Sequence, residues 1–162
     1  MCHGMKLYID IDGVLLTTKS TQRPKYAVEF IDYIVSNFDC YWLTSHCKEG
    51  NITYLIQYLS AYYELETIEK CKRISPTSWK TAKTEAVDFN SDFYWLDDYV
   101  FEFEKNVLER NCCLDRWIRV NLNNEYELKY IMIRLKSHGI IDAENITWKY
   151  KEEYNVKAQL RS

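Results

Sequence analysis

The stretch Lys6-Leu7-Tyr8-Ile9-Asp10-Ile11-Asp12-Gly13-Val14-Leu15 constrains this chain more than any other. Its apolar run predicts a buried strand, and that run breaks off in two carboxylates and a glycine. Ligands of open α/β sheets bind at the carboxyl ends of the strands, so a strand of this kind delivers Asp10 and Asp12 to a binding position. Residues two apart lie on one side of an extended chain, which puts both acids on the same face. Gly13 lets the backbone turn sharply while staying close to whatever the acids hold. Two such carboxylates repel each other unless a proton or a cation lies between them. Mg²⁺ suits the position, because it takes one or two carboxylates and keeps phosphate oxygens as further ligands.

Beyond that strand, the chain alternates between strand and helix patterns. Lys25 to Phe38 carries Tyr26, Phe30, Ile31, Ile34, Val35 and Phe38 at helical spacing. Asp39 to Ser45 is a short apolar run ending in two hydroxyls, and Asn51 to Tyr63 predicts a second helix with Tyr54, Tyr58 and Tyr62 in one stripe. Thr67 to Ile74 is expected as a strand and Thr81 to Phe89 as a short helix. Phe93-Tyr94-Trp95-Leu96-Asp97-Asp98 repeats the opening pattern, a strand that ends in acids. A helix is predicted over Phe103 to Arg110, a strand over Cys113 to Asn121, and an amphipathic helix over Glu125 to His138, closed by Gly139. Alternation of this kind predicts an α/β fold with a doubly wound parallel sheet, Rossmann-like in layout.

With 162 residues, no linker and no repeat, the sequence reads as one domain over 1–162, its motifs within about 5–139 and a charged, weakly patterned tail over about 140–162. No apolar run approaches the length of a membrane span and no signal-peptide core is visible, so a cytoplasmic protein without a membrane partner is expected. The six cysteines show no zinc spacing and read as small hydrophobes in a reducing compartment. A net charge of −3 argues against general polyanion binding, though not against a local basic site.

Four signals thus stand in order: Asp10/Asp12, Thr44, Lys80 and Asp97/Asp98. Their order and contexts resemble the haloacid dehalogenase (HAD) superfamily, mostly phosphoryl-transfer enzymes. Asp10-Ile11-Asp12-Gly13-Val14 matches its first motif and Tyr41-Trp42-Leu43-Thr44 its second. Lys80 is the better match to the third, with Lys83 in reserve, and Trp95-Leu96-Asp97-Asp98-Tyr99 matches the fourth. The resemblance covers roughly the first two-thirds of the chain.

The resemblance implies a HAD-like core and a Mg²⁺-dependent phosphatase. Asp10 would attack phosphorus to form an aspartyl-phosphate, and Asp12 would act as general acid and then base. Thr44 and Lys80 would bind the phosphoryl oxygens. Asp10, the backbone carbonyl of Asp12, and Asp97 would hold the metal, with Asp98 a further ligand or a support beside them. Retention of Asp12 favours a phosphatase over a dehalogenase. The intervals between motifs leave no room for a cap domain, which implies an open site suited to a large phosphorylated substrate.

Plainer readings stand beside these. Acids after a strand also make solvated turns, Thr44 is a β-former, and a lysine at a helix start is commonly a surface group. His46 reads as an ordinary loop histidine, and the Tyr54/Tyr58/Tyr62 stripe as a packing face. Lys70, Lys72, Arg73, Lys80 and Lys83 make a basic segment that would serve a nucleic acid end if it gathers beside Asp10. Two rival functions remain: a nucleic acid end-processing phosphatase, and a non-catalytic regulatory module that keeps the fold.

Overall fold

The computed structural model describes residues 4–137. Four strands, β1 (Lys6–Ile9), β2 (Asp39–Trp42), β3 (Phe93–Asp97) and β4 (Trp117–Arg119), form one all-parallel sheet in the order β2-β1-β3-β4. Five helices accompany it: α1 (Ala27–Asn37), α2 (Thr53–Leu59), α3 (Leu65–Cys71), α4 (Glu102–Arg110) and α5 (Glu127–Lys136). The chain winds outward from β1 to β2, then returns to the other side of β1 to lay down β3 and β4. The winding direction therefore reverses between β1 and β3, the kind of switch point where α/β sheets open a crevice for ligands.

Both faces of the sheet are covered, which is why its strands are apolar almost throughout. Alternate residues Leu7, Ile9, Trp42 and Leu96 pack with Phe30, Ile31 and Ile34 of α1 and Leu128 of α5. Their neighbours Tyr8, Leu43, Phe93 and Trp95 point the opposite way and pack with Leu108 of α4. Registers Ile9↔Trp42 and Ile9↔Leu96 bring the carboxyl ends of β2, β1 and β3 level, so the residues just past each strand emerge at one edge of the sheet. Cys40, Cys47 and Cys71 are free thiols buried among these apolar groups.

The stretch expected as a strand over Thr67–Ile74 is instead helix α3 and the turn after it. Its buried residues are Thr67, Ile68 and Cys71, a helical spacing, and α3 lies against α1. The helix expected over Thr81–Phe89 shrinks to a 3-10 turn at Lys83–Ala86. Of the strand expected over Cys113–Asn121, only β4 is extended; a 3-10 turn at Leu114–Arg116 precedes it and Leu114 is exposed. His138, Gly139 and the tail over 140–162 lie outside the described residues. Among the described residues no helix is long and apolar enough to cross a membrane.

Candidate functional site

Asp10 is the first residue beyond β1, its amide bonded to the Leu96 carbonyl at 3.1 Å, and the preceding Ile9 carbonyl accepts from Leu43 N–H at 2.8 Å. Asp10 is thereby fixed between its neighbours on both sides. Its Oδ1 accepts the Ile11 amide at 2.8 Å. The chain then folds back on itself: the amides of Val14, Leu15 and Leu16 all turn to the Ile11 carbonyl. Gly13 is needed there twice over. Its φ is +86°, and a Cβ on it would fall 2.3 Å from Cγ and 2.7 Å from Cβ of Asp98.

Across the switch point, β3 delivers Asp97, which is buried, and Asp98, which is half-buried. Carboxylate oxygens of Asp10, Asp97 and Asp98 all lie within 4.8 Å of one another. The ammonium that bridges Asp10 and Asp97 belongs to Lys83: its Nζ is 3.1 Å from Asp10 Oδ2 and 2.6 Å from Asp97 Oδ2. Burial works against charge on Lys83, but Asp10 and Asp97 outweigh it and hold its pKa above the ordinary value. Burial, with the nearby Asp10 charge, pushes the Asp97 carboxyl up to about 8 even though Lys83 pulls the other way. Asp98 is raised for the same two reasons. Three carboxylates against one ammonium leave a net negative cluster of hard oxygens, a donor set that fits Mg²⁺.

Lys80, the residue singled out by sequence, is exposed and three positions short of this cluster. Glu85 decides the phase of the turn, because its carboxylate accepts the amides of Lys80, Thr81 and Ala82. Glu104 of α4 then accepts the Lys83 amide at 2.8 Å and the Phe101 amide at 3.2 Å. Glu104 was not among the sequence candidates, and it is nearly fully buried. Two tryptophans also hold Asp97: the Trp95 indole donates to Oδ2 at 3.2 Å and the Trp117 indole to the backbone carbonyl at 3.1 Å.

Thr44 lies two residues beyond β2, one strand away from Asp10; it is fully buried, and its hydroxyl accepts the His46 amide at 3.4 Å. The Asp12 carboxylate stands apart from the acidic cluster. Tyr58 donates its hydroxyl to Asp12 Oδ1 at 3.0 Å, and His46 Nε2 shares a hydrogen bond with Oδ2 at 2.7 Å. Burial and the bond to Asp12 push the Tyr58 hydroxyl up to about 12, so it keeps its proton. His46 is thus more than a loop histidine, and the tyrosine stripe is no uniform packing face: Tyr58 turns to Asp12 and Tyr54 is 76% exposed. Neither contact was legible locally, since each joins residues more than thirty positions apart.

Beside Asp98 lies a cleft of about 490 Å³ lined by Gly13, Thr17, Lys19, Arg119 and Asn121 among others. The basic segment does not gather here. Lys70 pairs with Asp32 and Glu66, Lys72 with Glu69, and of the segment's ion pairs only those of Lys83 reach the acids. Comparison with family models, with curated proteins and with solved structures gives no match for this chain.

Proposed function

We propose that this chain is a capless, Mg²⁺-dependent phosphatase of the haloacid dehalogenase type, working through an aspartyl-phosphate on Asp10. The observation that carries this reading is the separation of the acids. Asp10, Asp97 and Asp98 cluster together, with Lys83 bridging the first two, while Asp12 is held apart by Tyr58 and His46. One set suits a nucleophile beside a metal, and the other suits proton transfer.

Asp10, Asp97 and the backbone carbonyl of Asp12 would hold Mg²⁺, with Asp98 beside them, and the bound ion would offset charge between the nucleophile and the phosphoryl oxygens. Asp10 attacks phosphorus; as the ester P–O bond breaks, Asp12 passes its proton to the departing oxygen. Water then attacks the aspartyl-phosphate, Asp12 takes the proton of that water, and Asp10 is released as a carboxylate. Lys83, in place of Lys80, and the Thr44 hydroxyl bind the phosphoryl oxygens where charge spreads in the transition state. A cytoplasmic setting, where thiols stay reduced, suits the free buried cysteines. The dispersed basic segment gives no particular support to a nucleic acid end as substrate.

The test is Mg²⁺-dependent phosphate release from 4-nitrophenyl phosphate, comparing wild type with Asp10→Asn. We expect turnover that chelation removes and that Asp10→Asn abolishes with the fold intact by circular dichroism. Turnover that survives Asp10→Asn would refute the nucleophile. A protein that neither binds Mg²⁺ nor turns over any phosphate ester would be the regulatory module instead.

A further inference from the structure

A general acid is useful only if its carboxyl group faces the oxygen it must protonate, and Asp12 stands on a turn with its side chain 43% exposed. An exposed carboxylate ordinarily samples several rotamers, so something has to hold this one. Two side chains do, from two different elements. The Tyr58 hydroxyl reaches Oδ1 at 3.0 Å and His46 Nε2 reaches Oδ2 at 2.7 Å, so both oxygens are anchored and rotation about the last side-chain bond is fixed. Each carboxylate oxygen has two lone pairs, and each anchor occupies one, which leaves a site on either oxygen for the proton exchanged with substrate or water.

The anchors are themselves held. His46 and Tyr58 stack with centroids 4.5 Å apart and planes 18° from parallel, and Tyr62 meets Tyr58 edge-on at 5.8 Å. Behind Tyr58, Leu55 and Leu59 of α2 are fully buried. Behind His46, its amide is tied to the Thr44 hydroxyl just beyond β2. A chain of contacts therefore runs from the core through both rings to one carboxylate. A surface pair of this exposure contributes little to folding stability, and that makes stability a weak reason for so constrained an arrangement.

We propose that His46 and Tyr58 are positioning residues that aim the Asp12 carboxyl at the leaving-group oxygen, an inference that rests on the phosphatase reading above. Its signature is dependence on the leaving group. A nitrophenolate departs without a proton, whereas an alkoxide needs one, so misaiming the acid harms alkyl esters far more than aryl esters. The constant to compare is kcat/KM, because it covers the steps up to cleavage of the ester bond.

The experiment measures kcat/KM for 4-nitrophenyl phosphate and for an alkyl phosphate such as glycerol phosphate, in wild type, Tyr58→Phe, His46→Ala, His46→Gln, Asp12→Ala, and Asp12→Ala combined with His46→Ala. We expect Tyr58→Phe and His46→Ala each to widen the aryl-to-alkyl ratio about tenfold or more, within the roughly 10²–10⁴ that a general acid supplies. His46→Gln, which keeps a donor near the same place, restores most of the ratio. The double variant widens it no further than Asp12→Ala alone, as members of one unit do. Equal losses on both esters, with melting temperature lowered, would overturn the positioning role while leaving the phosphatase reading in place. Wild-type protein that hydrolyses neither ester would overturn the phosphatase reading and the positioning role together.

Discussion

Lys83 bridges two buried carboxylates with only 15% of its side chain exposed. Removing one partner from such a cluster leaves like charges facing each other without compensation. Lys83→Ala should therefore lose phosphatase activity by about 10²–10³, the scale of one lost transition-state donor, and should melt earlier in the absence of metal. Lys80→Ala should stay within a few-fold of wild type. Steady-state rates for both variants, at saturating Mg²⁺, check this, and a crippled Lys80→Ala with an active Lys83→Ala would return the role to Lys80. Asp10, Asp97 and Asp98 were legible in the sequence because each follows an apolar strand, and that context fixes where a strand-end acid emerges. Which lysine meets them was not. Residues 80 and 83 differ only in the phase of one short turn, and that phase is fixed by Glu85 and by Glu104, the second of which comes from a helix 21 residues further on.

The turn after β1 is the element on which the site depends most, because it must double back within one residue of two acids. Gly13→Ala places a methyl group where Asp98 already stands, 2.3 Å from its Cγ, on a backbone with φ of +86°. The left-handed conformation alone costs about 1–2 kcal/mol for a residue with a side chain. We expect Gly13→Ala to lower stability by at least that much and to weaken Mg²⁺ binding by displacing Asp98. Thermal melts and titration calorimetry read the two effects, and wild-type metal affinity in this variant would argue against Asp98 as part of the metal site. Elements are legible in the sequence wherever one periodicity is clean, as in β1, β3, α1 and α4. Legibility fails at residues 67–74, where Ile68, Cys71 and Ile74 sit at helical spacing but a short apolar run permits either pattern. The partner that settles it is α1, a tertiary neighbour that local pattern cannot supply. The shortening of β4 has a related cause: in Cys113–Asn121 only Ile118 and Val120 join the sheet's main core, so only the middle of that stretch is extended.

For the molecule as a whole, the acidic cluster ties folding to proton uptake and, under the proposed function, to metal binding. Asp97 has its pKa raised from an ordinary 3.8 to about 8, first by burial and then by the neighbouring Asp10 charge. Raised in the folded state, such a group favours folding fully at pH below its ordinary value, and that contribution is lost as pH climbs through the folded value. Without metal, Asp97 therefore makes the protein progressively less stable between about pH 4 and about pH 8. A divalent cation held among Asp10, Asp97 and Asp98, as the proposed function requires, would replace the proton, so Mg²⁺ uptake near neutrality should release a proton and should tighten as pH rises across that window. The stabilisation it confers follows mass action, about 2.7 kcal/mol when the ion is at a hundred times its dissociation constant. We expect the rise in melting temperature on adding Mg²⁺ to grow from about pH 5 to about pH 8. Calorimetry in two buffers of different ionisation enthalpy would count the proton released. Asp97→Asn should reduce both the proton release and the pH slope, because the more deeply buried of the two raised carboxyls that can exchange a proton for the ion is gone, leaving Asp98. A Mg²⁺-induced shift of constant size across this range would instead place the ion away from Asp97 and separate the metal site from the switch point of the sheet.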